Sequence, residues 1–438
     1  MSESFAERLL AGLSGQQQAL PGASHPWVAA LRRDALTRFR ELGLPGARNE
    51  AWKYTRLNAL ERRSFQPADP AVALPDLGDL LAAAPPLRAV FVNGRFRAEA
   101  SALAGLPAGA RLCPLAEALE QDDGTLRERL AGGVVDEDAF GALNAAFIGD
   151  GLLLELAADC VLEQPLLLLF VSIAGDDYVS HPRNIVVAGR HSRATVLEAY
   201  VGPQGGSYFT NASTELYLAP GARLDHLRRQ DEAAGAFHLG RVRARVERDA
   251  GYRSQVFSLG AQLARLDLDV HLGQGAECDL DGLYLAAKRQ HVDHQTRVEH
   301  AAPHGRSAEY YKGVIDDAAR AVFSGTVLVQ PDAQKTDAQQ MNRNLLLSPR
   351  AEVDTKPQLV IYADDVKCAH GATIGQLDPV EMFYLRSRGL DETAARELLI
   401  HAFANELVDR VADDGLRAFI FRCLDARLPG REPLLEGE

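Results

Sequence analysis

The sequence predicts a mainly β fold: a parallel β-helix flanked by a helical, mixed N-terminal region and a C-terminal helical segment. Three observations carry this expectation. From Gly151 to about Thr373 the 438-residue chain is a succession of short strand-like runs with no long helical pattern. Within that stretch one turn phrase keeps returning. Helix start and stop signals are confined to the two ends.

Composition frames the rest. With 47% apolar and 24% charged residues the chain is an ordinary globular protein rather than a disordered one. Its formal charge of -13 argues against a general nucleic-acid grip, which needs a basic face. Met1-Ser2-Glu3-Ser4-Phe5-Ala6-Glu7 has neither a basic region nor a continuous apolar stretch, so it does not read as a signal peptide. The longest apolar run, around Leu166 to Val171, is far short of the roughly 20 residues that span a bilayer. The expectation is a soluble, cytoplasmic protein. The five cysteines (Cys113, Cys160, Cys278, Cys368 and Cys423) are odd in number, dispersed and never spaced as C-x-x-C. That pattern suits neither a disulfide framework nor a self-contained zinc site.

The N-terminal region (1–150) reads as helix first. Pro26 sits at a helix start, Trp27, Leu31, Ala35, Leu36 and Phe39 recur at helical spacing, and Gly43 and Pro45 stop the run. Arg48-Asn49-Glu50-Ala51-Trp52-Lys53-Tyr54-Thr55 reads as a surface anchor that packs its two aromatics. Residues 66–85 form a connection. Val90-Phe91-Val92, Asn93-Gly94 and Arg95-Phe96-Arg97 make a hairpin, because Asn-Gly supplies the positive φ angles of a type I′ turn. A helix is expected over about Asp136 to Phe147.

The central region (151–375) carries the recurring phrase. Leu218-Ala219-Pro220-Gly221-Ala222-Arg223-Leu224-Asp225 resembles Leu272-Gly273-Gln274-Gly275-Ala276-Glu277-Cys278-Asp279 and Leu347-Ser348-Pro349-Arg350-Ala351-Glu352-Val353-Asp354. Weaker echoes begin at Val246, Glu299 and Leu328. A strand, a tight turn and a strand repeated this way is the signature of stacked rungs, each burying its apolar side only against its neighbours. A β-sandwich of ordinary hairpins also gives regularly spaced turns. The return of the same phrase, rather than merely some turn, favours the β-helix.

The C-terminal region (376–438) returns to helix. Asp378-Pro379-Val380-Glu381 holds an N-cap, Pro at N1 and an acid at N3, and Gly389 is a C′ stop. Asp391 caps a second helix with a stripe of Ala395, Leu398, Leu399, Ala402, Phe403 and Leu407. A third is expected from Gly415 to Arg427, with Leu416, Phe419, Ile420, Cys423 and Leu424 on its face.

Familiar catalytic signatures are missing: there is no G-x-x-x-x-G-K-[ST], H-E-x-x-H, G-x-S-x-G or G-x-G-x-x-G. Asp267-Leu268-Asp269-Val270-His271 and Gln290-His291-Val292-Asp293-His294 are dense polar runs that read as the outer face of strands. The informative stretch is Asp364-Asp365-Val366-Lys367-Cys368-Ala369-His370-Gly371-Ala372-Thr373. If extended, it points Val366, Cys368 and His370 to one face. A thiolate and an imidazole together suit iron, zinc or copper, but two ligands cannot complete a site, so a partner chain or sulfide is needed. Lys367 and His370 close to the sulfur would lower the thiol pKa. The alternative is a structural Cys368 filling a rung and a His370 satisfying a nearby carbonyl.

The same stretch, continued through Ile374-Gly375-Gln376-Leu377-Asp378 and Phe383-Tyr384-Leu385-Arg386-Ser387-Arg388-Gly389, resembles the D branch of the SufB/SufD family of iron–sulfur cluster assembly scaffold proteins. Met341 to Ser348, Lys356-Pro357-Gln358-Leu359 and Glu50 to Thr55 fit as well, so the likeness covers essentially the whole chain. The B branch instead carries a His-Glu-Ala sequence at the Cys-Ala-His-Gly-Ala position and a cysteine-containing segment a rung earlier. This chain has no cysteine between 279 and 367.

The resemblance implies a right-handed parallel β-helix and a non-catalytic scaffold subunit. Such a subunit pairs through the end of its β-helix with a SufB paralogue and docks the separate ATPase SufC on its C-terminal helices. It implies that the family's interface histidine and neighbouring cysteine are His370 and Cys368, sharing a transient iron–sulfur cluster or its metal with the partner, with no tightly bound cofactor. Phe383, Tyr384, Arg386 and Arg388 are the candidate ATPase contacts. An unpaired edge would also allow a homodimer of the isolated chain. Two rival readings stay open: a polysaccharide-cleaving β-helix enzyme, for which Asp267, Asp269, Asp279 and Asp281 are the acidic set, and a purely structural partner that supplies no ligand.

Overall fold

The computed structural model describes residues 5–13, 15–69, 72–82, 84–131, 138–173, 176–202 and 205–428. Its centre is a two-sided parallel β-solenoid. Successive strands alternate between two sheets, and each pairs in parallel with the strand two further along. Leu263–Leu272, His291–His300, Arg320–Val329 and Glu352–Ile361 follow one another in one sheet. Glu277–Ala286, Arg306–Ile315, Asp337–Leu346 and Lys367–Gly375 do so in the other.

The returning phrase is one corner of the rung. Asp159, His191, Gly221, Asp249, Gly275, His304 and Lys335 each have positive φ, between 55 and 73. Each donates its N–H to a carbonyl of the next corner: His191 to Pro220, Gly221 to Arg248, Asp249 to Gln274, Gly275 to Pro303, His304 to Gln334 and Lys335 to Asp365. The left-handed conformation explains Gly, Asp, His and Lys there and no β-branched residue. The phrase at Leu347 is a correction. It lies on the opposite corner, where Ala351 donates to Ser348 before the strand Glu352–Ile361. Both corners need a tight strand-turn-strand bend and so use similar residues.

Alternating positions send one set of side chains inward and the other outward. Inward, Leu224, Tyr252, Cys278, Val246 and Leu272 build the axial core. Each sheet's outer face is covered by one flank. Phe209, Phe237, Leu239 and Leu263 lie under Phe65, Trp52 and Phe140 from the N-terminal region. Leu197, Leu227, Phe257 and Leu283 lie under Ile400, Ala404, Leu407, Phe419 and Ile420 from the C-terminal helices.

The flanking elements follow their local signals. The N-terminal helix is Pro26–Leu42, burying Val28, Arg32, Ala35 and Phe39. Trp27, Leu31 and Leu36, expected on that stripe, are only partly buried. The Asn93-Gly94 hairpin forms, with φ of 48 and 77, and pairs Phe91 with Phe96. Asp138 caps the helix Ala139–Ala146 through the N–H groups of Phe140 and Gly141, while residues 136 and 137 of the expected helix lie outside the described residues. At the C-terminus the helices are Pro379–Ser387, Glu392–Val408 and Asp414–Asp425, capped by Asp378, Asp391 and Asp413.

The expected stripe of the middle helix is rotated. Ala395, Ile400, His401, Ala404, Leu407 and Val408 are buried, whereas Leu398 is 47% exposed and Ala402 is exposed. This helix is apolar on more than one side, so the sheet it packs against chooses the face.

The anchor segment pins the N-terminal region to the solenoid. The Arg265 guanidinium stacks 3.9 Å from the Trp52 ring centroid and donates to the Ala51 carbonyl at 2.7 Å. Trp52 also packs on Phe140 at 5.5 Å. Thr55 donates to Asp293 at 2.5 Å and contacts His291 at 2.8 Å. Tyr54, expected to pack beside Trp52, is instead exposed. Truncating Trp52 to Ala should therefore cost about 3 kcal/mol, read as a lower urea midpoint, while the parallel-β circular dichroism signal persists.

The open end of the solenoid as candidate functional site

The two ends of the stack differ. At the N-terminal end each sheet is closed by an antiparallel strand: Ala110–Pro114 on Gly151–Leu156, and Arg95–Phe96 on Leu87–Val92. At the other end Glu352–Ile361 and Lys367–Gly375 each have a neighbour on one side only among the described residues. The Cys368 stretch is this last strand. Parallel register places Cys368 on Ala338, His370 on Gln340 and Ala372 on Asn342. Those partners are buried inward residues, so Cys368 and His370 occupy the inward row of a rung that nothing covers.

Cys368 is half-buried against Val327, Val329, Ala333, Ala338 and Ala363. Burial pushes its thiol above the usual range, against the opposing Ala338 backbone contact, and the Asp337 charge adds to it. The expected lowering by Lys367 and His370 is thus not found, because Lys367 lies on the opposite face of the strand. The His370 side chain is exposed, and its ring makes no hydrogen bond to any described residue. Among the described residues no group of three or more His, Cys, Asp or Glu side chains is placed to hold a metal ion.

Beneath His370 runs a column that sequence reasoning did not single out. Gln340 stacks on Glu309, and both are buried. Thr296, from the facing sheet, donates to one Glu309 oxygen at 2.6 Å, and the other oxygen has no partner. Burial pushes the Glu309 carboxyl up to about 7, opposed by Thr296 and Gln340. The nearby His294 faces inward and burial brings it down to about 4. His294 corrects the expectation of a purely outer polar run; its neighbours His291 and Asp293 do face outward, half-buried and buried respectively against Thr55. Glu309 shares the inward row of its strand with Ser307 and Tyr311. From sequence such a row reads as solvated, and only the facing Gly325, where a Cβ would overlap the Gln340 amide, signals an occupied interior.

The ATPase-contact candidates lie on the helix Pro379–Ser387, which buries none of its residues. Phe383 is 74% exposed and Tyr384 is 55% exposed. Arg388 sits over the Tyr384 ring at 5.2 Å, and Arg386 pairs with Glu392 at 3.6 Å. The acidic set does not converge. Asp267 and Asp269 are on the outer face of one sheet, and Asp279 and Asp281 on the outer face of the other. Asp267 is held by Arg265 and Asp281 by Arg410.

A family model described as the SufBD core domain of the SUF system for iron–sulfur cluster assembly matches residues 170–403, more than half of the chain. The chain belongs to the SufBD family. The family's N-terminal region matches residues 83–168. The chain is 32% identical to the iron–sulfur cluster assembly protein SufD of Escherichia coli, over 96% of this chain and 99% of that protein. It is 34% identical to an iron–sulfur cluster assembly SufBD family protein of Synechocystis, over 94% of each chain. A chloroplastic protein of Arabidopsis thaliana, ABCI7, is 27% identical over 95% of this chain. The resemblance read from the sequence is thereby borne out, and iron–sulfur cluster assembly is the field in which this SufBD chain works. No helix among its described residues is long and apolar enough to cross a membrane.

The buried carboxyl has a thermodynamic signature. Between the ordinary value of 4.5 and about 7 the folded chain keeps a proton that the unfolded chain has lost. This group therefore lowers stability as pH rises through that window, and adds no slope above it. Replacing Glu309 with Gln should leave stability near wild type at pH 4.5 and raise it relative to wild type at pH 8, by up to the order of 3 kcal/mol. Urea unfolding of both chains at the two pH values checks this.

Proposed function

We propose that this SufBD chain is a cytoplasmic scaffold subunit that carries out no turnover of its own. Its open end pairs with a SufB-type paralogue, and its C-terminal helices, within a unit spanning 376–438, dock a SufC-type ATPase. The N-terminal region (1–150) and the solenoid (151–375) hold the two surfaces in fixed relation. One observation carries the reading: the inward row of an uncovered last rung ends in Cys368 and His370, a thiol and an imidazole without a complete ligand set. Two unsatisfied strand edges invite a second β-helix to continue the ladder. A paralogue that does so brings its own side chains to the same row and completes a site for nascent iron and sulfide. In this reading ATP-driven movement of the docked helices strains the seam and exposes that row.

Changing His370 to Ala should lower cluster assembly at least tenfold in the complex reconstituted with SufB and SufC, with complex formation intact on gel filtration. An unchanged rate would take His370 out of the mechanism. If removing Cys368 and His370 together also leaves bound iron unchanged, the chain is a structural partner only.

The exposed aromatic pair supports the docking assignment, since large exposed apolar side chains on a helix with no buried face mark an interaction surface. Phe383→Asp should weaken binding of SufC by about 30-fold, the effect of losing an interface anchor, with no change in the melting temperature of the free chain. Calorimetric titration with SufC tests it.

A further inference from the structure

We propose that Gln340 is a positioning residue for His370: its side-chain carbonyl accepts one imidazole N–H when a partner covers the last rung, leaving the other ring nitrogen free to bind metal. This rests on His370 being a ligand, as read above.

The argument starts from what a metal-binding imidazole requires. One ring nitrogen offers a lone pair only if the proton sits on the other, and a hydrogen-bond acceptor at that other nitrogen fixes tautomer and ring orientation. His370 has no such acceptor in the free chain, where its ring faces solvent. Directly below it, one rung down in the same inward row, is Gln340. Neighbouring rungs are about 4.8 Å apart, within reach of two side chains of this size.

Gln340 is 2% exposed, and neither atom of its amide completes a hydrogen bond of ordinary geometry. A buried amide in that state costs stability unless a partner arrives. The amide is also held in place. Gly325 in the facing sheet leaves room for it, where any Cβ would overlap the amide nitrogen and the Thr296 hydroxyl. On its far side lies the Glu309 carboxyl, whose charged form the amide favours and whose second oxygen is unpartnered. In the proposed arrangement the amide is directional: its NH2 group turns to Glu309 and its carbonyl to His370. Covering the last rung removes water from the imidazole and makes that carbonyl the available acceptor.

The test uses the complex reconstituted with SufB and SufC, with cluster assembly as the readout and His370→Ala as the reference. Gln340→Met keeps length and removes the acceptor, and should lower assembly 10- to 100-fold, the usual effect of losing such a partner. Adding it to His370→Ala should cause no further loss. Exchanging the two groups, Glu309→Gln with Gln340→Glu, restores an acceptor below the imidazole and should return assembly to within about threefold of wild type, which a packing role would not do. Wild-type assembly by Gln340→Met while His370→Ala is impaired overturns this inference and leaves the functional reading standing. Unimpaired His370→Ala overturns both. If Gln340→Met fails to enter the complex, the exchanged pair decides alone: more than tenfold loss refutes the assignment.

Discussion

A parallel solenoid satisfies its backbone only by adding rungs. Every strand offers N–H and C=O groups along the axis, and each rung completes the one before it. The stack must stop somewhere, and this chain stops it in two different ways. Antiparallel strands close the first rungs of both sheets. The last rung is left with two free edges. That asymmetry makes the two ends chemically different, because the uncovered rung exposes inward side chains that the stacked rungs among the described residues hide.

The same stacking orders the interior. Inward residues of successive rungs fall in columns, so a polar residue survives only if its column or the facing sheet supplies partners. Near the middle of the stack this is achieved. Glu198 accepts from Arg228 at 2.6 Å and Thr214 at 2.7 Å, with Tyr200 at 2.9 Å. Burial works against its charge, yet these contacts and His226 hold its carboxyl below the usual range. Glu232 is satisfied by Thr210, Gln230 and His238. Toward the open end the balance changes. Glu309 keeps one unpartnered oxygen, and neither nitrogen of His294 finds a partner. These unsatisfied groups thus lie close to the uncovered rung.

How much of this the sequence discloses depends on whether the cause is local. Corners are legible because a left-handed residue flanked by small ones is a local demand, met at Gly221 and Gly275 in the same words. Caps are legible for the same reason, as at Asp378 and Asp391. The corner at Leu347 misleads because both corners of a rung obey the same local chemistry. Faces are less legible. Alternation gives the two sets of side chains but not which is inward, since both faces of each sheet are buried under something over most of the solenoid. His294 therefore reads as a solvated residue, nothing local marks Glu309, and the stripe of Glu392–Val408 is set by the sheet beneath it. Cys368 and His370 are legible because residues two apart on an extended segment share a face, and a thiol beside an imidazole is a soft-ligand pair whatever surrounds the strand.

The C-terminal helices are joined to the solenoid in a way that bears on this end. Their apolar contacts are reinforced by ion pairs that reach across to inner strands. Glu406 takes Lys312 at 2.5 Å and Tyr310 at 2.9 Å, Arg410 reaches Asp281 at 2.6 Å, and Arg427 reaches Asp231. At Asp281 burial outweighs Arg410, so its carboxyl sits up near about 6. Tyr310 and Lys312 belong to the strand Arg306–Ile315, whose inward side carries Glu309 and Tyr311. One strand thus faces the C-terminal helices on one side and the column beneath His370 on the other. A load placed on Glu392–Val408 is borne by Glu406 and passes to Lys312, three residues from Glu309. In-register strands resist sliding because a slip breaks every ladder bond at once, so the load is shared with Asp337–Leu346 and then Lys367–Gly375. The path from the helices to the open rung is therefore two strand pairings long, and it ends at the strand that carries Cys368 and His370.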